Sequence, residues 1–143
     1  MQYNFCYLVD GRIREVKKRF NKEGVYNLPA DFRKHYNTGW NSVCMKLIRR
    51  SFLEENDLRF FDWSYQSEDQ AFCFMMFSYL EKFYCVSDVC YFIVSRKDSA
   101  IHMIDTAGYE NRVRTFRTLA GEFVKRGRSQ YFIRLAHRLE RKN

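Results

Sequence analysis

The sequence predicts an α/β fold, on three observations. A strand-like alternation opens the chain and turns at Asp10-Gly11. An apolar helical run occupies the middle, from Ala71 to Leu80. Two further strand-like runs follow it, ahead of a C-terminal third with helical periodicity. At 143 residues the chain is one domain or a large piece of one. Its 46% apolar and 18% aromatic content can build a core, and its 29% charged content excludes a disordered or fibrous class.

The elements follow in order. Tyr3, Phe5, Tyr7 and Val9 share one face of a first strand. Asp10-Gly11 then precedes Arg12-Ile13-Arg14-Glu15-Val16, a hairpin signal. Residues 17–39, with Gly24, Pro29 and Gly39, read as an irregular loop with one helical turn near 30–35. Residues 41–56 read as two helical pieces: Val43, Leu47 and Ile48 stripe the first, Arg49-Arg50 end it, and Ser51 caps the second. Leu58 to Phe61 is a short extended piece and Asp62 to Gln66 a polar-aromatic loop. Ser67-x-x-Gln70 is a capping-box pattern, and the helix behind it is apolar nearly all round, which predicts burial. Phe83 to Val86 and Val89 to Val94 read as strands broken at Ser87-Asp88. Tyr109, Val113, Phe116, Ala120 and Phe123 recur at steps of four and three, and Gly127 ends their helix. Phe132, Leu135 and Leu139 form a last stripe opposite Arg134, Arg138 and Arg141.

Five cysteines (6, 44, 73, 85 and 90) include no C-x-x-C pair, so they read as reduced core residues of a cytosolic protein rather than as a zinc site. Met1 leads directly into a strand, so no secretory leader is expected. The longest apolar stretch, Ala71 to Phe77, falls far short of the ~20 residues that span a bilayer. The net charge of +8 is uneven: residues 105–143 hold ten Lys/Arg against four Asp/Glu. Such a tail suits an anionic partner.

Three blocks in order carry a resemblance. Lys46 to Phe60 (K-L-I-R-R-S-F-L-E-E-N-D-L-R-F) resembles the K-L-Y-R-R-x-F-L-E-E-N-x-L-R-F stretch of family 2 glycosyltransferases. Ser67 to Phe72 (S-E-D-Q-A-F) resembles their x-E-D-x-x-F, and Tyr91 to Ser99 (Y-F-I-V-S-R-K-D-S) resembles Y-Y-Y-R-I-R-x-G-S. The resemblance spans residues 46–99. It implies the acceptor-side, C-terminal half of a GT-A (Rossmann-like) fold over residues 1–104, with an added basic helical segment over 105–143. The implied activity moves a sugar from a nucleotide-sugar to an acceptor hydroxyl, in cell-surface polysaccharide or glycolipid synthesis. Asp69 takes the general-base role by position, and Glu68 positions the acceptor. The first turn of a helix favours such an anion. Lys46, Arg96 and Trp40 are the candidate substrate-binding residues. Departures weaken part of that set. Val94 replaces the family's first Arg and Asp98 its Gly, and Trp40 is off the family's usual Trp position.

The sequence contains no Asp-x-Asp and no Gly-rich phosphate loop. Mg²⁺ or Mn²⁺ is therefore expected only with a donor-binding N-terminal half, and the chain alone is expected to be inactive and without a metal site. The implied partners are a nucleotide-sugar, a saccharide or lipid-linked acceptor, and an anionic membrane surface for the tail. Location is expected to be cytoplasmic, peripheral on the inner membrane face. Absence of the donor half would expose strand edges and invite homo-oligomers. Two other readings stand beside this one: a basic module for an anionic membrane or nucleic acid, and an inactive remnant. No nucleic-acid-reading motif is present, so nucleic acid is not expected. His35, His102 and His137 are scattered and make no catalytic arrangement.

Overall fold

The computed structural model describes residues 2–9, 12–17, 23–27, 42–94 and 105–130. Several expectations lie outside these residues: the turn at Asp10-Gly11, the helical turn near 30–35, Trp40, Arg96, the three histidines and the stripe Phe132, Leu135 and Leu139.

The structure is mixed α/β. Strand β1 (Gln2–Val9) and β2 (Arg12–Lys17) form the expected antiparallel pair, with Val9 opposite Arg12. The sheet has four strands in the order β2-β1-β4-β3. Strand β3 (Gly24–Asn27) lies in the segment read as irregular. Four residues are too few to show alternation, and its place is set by antiparallel pairing with β4, Asn27 opposite Lys82. Strand β4 (Lys82–Val94) runs parallel to β1 and is continuous through Ser87-Asp88, where a break was expected. While β1 advances from Gln2 to Asn4, its partners on β4 advance from Cys85 to Val89. The extra residues are absorbed as a bulge, which bends a strand without ending its pairing. At the far end of the sheet Leu8 pairs with both Ile13 and Val94, and these flanking residues are 60% and 62% exposed.

The segment before the central helix departs from two helical pieces. Val43–Met45 makes a single 3-10 turn, and Lys46 returns to extended backbone. Met45 is buried there, so packing of this one side chain overrides the stripe through Leu47, which is 57% exposed. The helix that follows, α1 (Arg50–Glu55), has Arg49 rather than Ser51 at its N-cap position, and the Arg49 side chain makes no capping bond. It ends at Asp57 with φ 47°, where the Leu58 N–H reaches the Leu53 carbonyl at 2.9 Å and Asp57 that of Glu54 at 3.2 Å. That is the Schellman pattern with Asp in place of Gly, and it drives Leu58 into the core.

Helix α2 (Glu68–Tyr79) is the expected buried helix: Ala71 through Ser78 are all withdrawn from water. Ser67 precedes it in the left-handed conformation (φ 65°) and its hydroxyl makes no capping bond. The capping box is not formed, because an N-cap side chain reaches the N2 or N3 amide from extended backbone.

Helix α3 (Thr106–Lys125) is capped by Asp105, whose carboxylate accepts from the Gly108 N–H at 2.8 Å. Its buried seam is Gly108, Thr115, Leu119 and Phe123. Tyr109, expected on the apolar stripe, is 63% exposed. Thr115 can occupy the core face because its hydroxyl bonds Ser64 Oγ at 2.7 Å and the Asn111 carbonyl at 2.8 Å. Gly127 (φ 66°) closes the helix, with Arg128 N–H on the Phe123 carbonyl at 2.7 Å. Leu119 and Phe123 share one core with α2, Leu58, Phe83 and Cys85.

Arg126 ties three helix ends together. Its guanidinium donates to the Asn56 carbonyl at 2.8 Å, the Asp57 carbonyl at 3.1 Å, Tyr79 Oη at 3.3 Å and Glu122 at 3.0 Å. Truncating Phe123 to Ala should lower the unfolding free energy by about 3–5 kcal/mol, measured by urea denaturation. A loss under about 1 kcal/mol would mean that α3 does not seal this core.

Candidate functional site

Asp69 stands in the first turn of α2, beside the 3-10 turn. Its Oδ2 accepts from Ser42 Oγ and from the Val43 N–H, each at 3.4 Å. Both contacts are long. They orient the carboxylate without saturating it, and Oδ1 accepts no hydrogen bond among the described residues.

Lys46 is brought to the same place. It comes from the first sequence block and Asp69 from the second, and Ser42 lies between them: its hydroxyl donates to Asp69 Oδ2 at 3.4 Å and its carbonyl accepts from the Lys46 ammonium. The ammonium also sits 5.6 Å from the centre of the Phe77 ring. Burial pulls Lys46 below the ordinary lysine value, and Cys73, Asp69 and Cys44 act in the opposite direction. Burial pushes the Cys73 thiol up to about 11, against the pull of Lys46. Cys73 is thus a neutral thiol near an ammonium that donates to the Ser42 carbonyl. Glu68 is half-buried beside Asp69 and forms no hydrogen bond among the described residues.

The loop before this acid pair is clamped by α3, a feature the sequence reading missed. Asn111 Oδ1 accepts from the Tyr65 and Gln66 N–H groups, both at 3.1 Å. Its amide nitrogen donates to the Trp63 carbonyl at 3.4 Å. The Arg114 guanidinium lies 4.1 Å from the Trp63 ring centre. Left-handed backbone at Ser67 costs about 1–3 kcal/mol and persists only where neighbours over-determine it. Here the Asn111 clamp and the Ala71 N–H on the Ser67 carbonyl at 3.0 Å do so. The signal in the sequence was a pair of polar residues, Asn111 and Thr115, four apart and so on one face of the helix.

Of the candidate substrate-binding residues, Lys46 joins Asp69 and Glu68, while Trp40 and Arg96 lie outside the described residues. The described residues gather no group of three His, Cys, Asp or Glu able to hold a metal ion. Among them, no helix is long and apolar enough to cross a membrane. The basic segment spends part of its charge internally. Arg114 covers Trp63, Arg126 joins the helix ends, and Arg128 lies 3.7 Å from the Tyr79 ring centre. Cys6, Cys73 and Cys85 are buried free thiols, as expected, but Cys44 is exposed, because the 3-10 turn points Met45 inward instead.

No family model matches the chain, and neither the curated proteins nor the solved structures contain a match.

Thiol labelling checks the local electrostatics. At about pH 8, near the ordinary thiol value, iodoacetamide should modify Cys44 on the folded protein and leave Cys73 untouched until unfolding. Rapid labelling of Cys73 in the native state, read by peptide mass spectrometry, would contradict its burial beside Lys46.

Proposed function

We propose that this chain is the acceptor-side part of a GT-A type glycosyltransferase, with Asp69 as the base that activates the acceptor hydroxyl. The observation that carries the reading is the meeting of Lys46 and Asp69. They belong to two separate sequence blocks that resemble family 2 glycosyltransferases, and Ser42 bonds to both of them beside the start of a buried helix.

The chemistry suits such a group. Asp69 Oδ1 takes the proton of the acceptor hydroxyl as that oxygen attacks the anomeric carbon of the donor. The bond from that carbon to the nucleoside diphosphate breaks, and the diphosphate leaves. Ser42 and the Val43 amide aim the carboxylate. Glu68 is placed to hold a neighbouring acceptor hydroxyl. The donor diphosphate and its Mg²⁺ or Mn²⁺ would be held by an Asp-x-Asp unit, which this sequence does not contain. The acceptor is a saccharide or a lipid-linked saccharide, and the cytoplasmic face of a membrane is the natural place for it.

Asp69→Asn keeps the shape and hydrogen bonds of the side chain but cannot take a proton at neutral pH. In the transferase that contains this chain with its donor-binding unit, the substitution should lower turnover by about 10²–10⁴-fold with little change in KM. Turnover within a factor of about three of wild type would remove Asp69 from the base role. The chain by itself should give no micromolar calorimetric binding of UDP-sugar with Mn²⁺.

A further inference from the structure

A groove of about 440 Å³ opens between the 46–52 segment, the C-terminal half of α2 and the start of β4. Its floor is apolar: Ile48, Phe52, Phe77, Leu80 and Phe83. Its charged lining residues among the described ones are Lys46, Arg49 and Lys82, with no carboxylate among them. Arg49 and Lys82 are exposed, and Leu47 forms an outward apolar lip.

We propose that this groove binds the hydrocarbon tail of a phosphate-headed lipid, with the phosphate against Arg49 and Lys82. Three considerations point to that occupant. An apolar trough with cations and no acid at its rim is complementary to an anionic amphiphile, and Arg is the better phosphate partner because its planar fork can take two oxygens. The volume falls within the roughly 300–1,000 Å³ of small-ligand sites. It suits one tail, whereas a folded partner would need about 800 Å² of contact surface on each side. The inner ammonium of Lys46 is already turned to the Ser42 carbonyl, so the outer pair Arg49 and Lys82 is placed to meet a head group. This inference needs neither a donor sugar nor a base, so it stands or falls separately from the transferase reading.

The probe is octyl phosphate below its micelle concentration, titrated into the whole chain by calorimetry at low salt. Saturable binding is expected, tightening by about fourfold per added methylene along hexyl, octyl and decyl phosphates. Octanol should bind at least tenfold more weakly than octyl phosphate. The double variant Arg49→Glu with Lys82→Glu should weaken octyl phosphate at least tenfold while leaving octanol affinity and the melting temperature unchanged. Leu47→Asp should weaken both ligands. The proposal is overturned by an absence of saturable octyl phosphate binding, by octanol binding as tightly as the phosphate, or by a double variant that binds octyl phosphate like wild type. Loss of this binding without loss of turnover on Asp69→Asn, or the reverse, tells the two readings apart.

Discussion

Eight consecutive residues of α2, Ala71 to Ser78, are withdrawn from water, and they face every direction around the helix axis. No single neighbour can cover such a helix, so cover has to arrive from several sides at once. The sheet supplies Phe83 and Cys85, α3 supplies Leu119 and Phe123, and the end of α1 supplies Leu58. Each of these elements is held where it is by the demand of α2 for apolar contact, at roughly 25 cal/mol for each Å² removed from water. The bulge in β4 and the Schellman turns that end α1 and α3 are the local adjustments that let those covers meet.

Polar groups at the two ends of α2 resolve the same constraint differently. At its C-terminal end Arg126 satisfies the carbonyls of Asn56 and Asp57 together with Tyr79, so the last turns of α1 and α3 are joined through one guanidinium. Charge-assisted bonds of this kind are the strong ones, and they fix the angle at which α3 lies on the core. At the N-terminal end the helix meets a carboxylate, an ammonium and a thiol in one small region. Lys46 is held in that region by the Ser42 carbonyl despite the cost of burial. The backbone strain at Ser67 sits at the same end, held by Asn111 from α3. A site whose geometry depends on elements this far apart in sequence is rigid only when the core is intact.

Much of the fold was legible in the residues. The antiparallel pairing of β1 with β2, the burial of α2 and the Gly127 stop each follow from local rules of pattern and backbone freedom. The errors have physical causes. The 43–48 stripe looked helical because Val43, Leu47 and Ile48 are helically spaced, but Met45 is the side chain the core accepts. Tyr109 looked like a core residue because apolar spacing alone cannot see that Thr115 satisfies its hydroxyl with Ser64 and Asn111 and so can take the inward position. The capping box failed for a similar reason: the loop clamp by Asn111 sets Ser67 in a conformation that its own side chain does not choose.

By itself the sequence determined that there would be a mixed sheet-and-helix chain with one helix buried on all sides and an acid pair at its start, because side-chain period and turn chemistry act within a few residues. Only the tertiary structure decided the strand order β2-β1-β4-β3, the approach of Lys46 to Asp69, and the grip of Asn111 on the loop at residues 63–66. Those features join residues more than twenty positions apart. Their geometry is set by how the covers of α2 pack against one another, which no local pattern encodes.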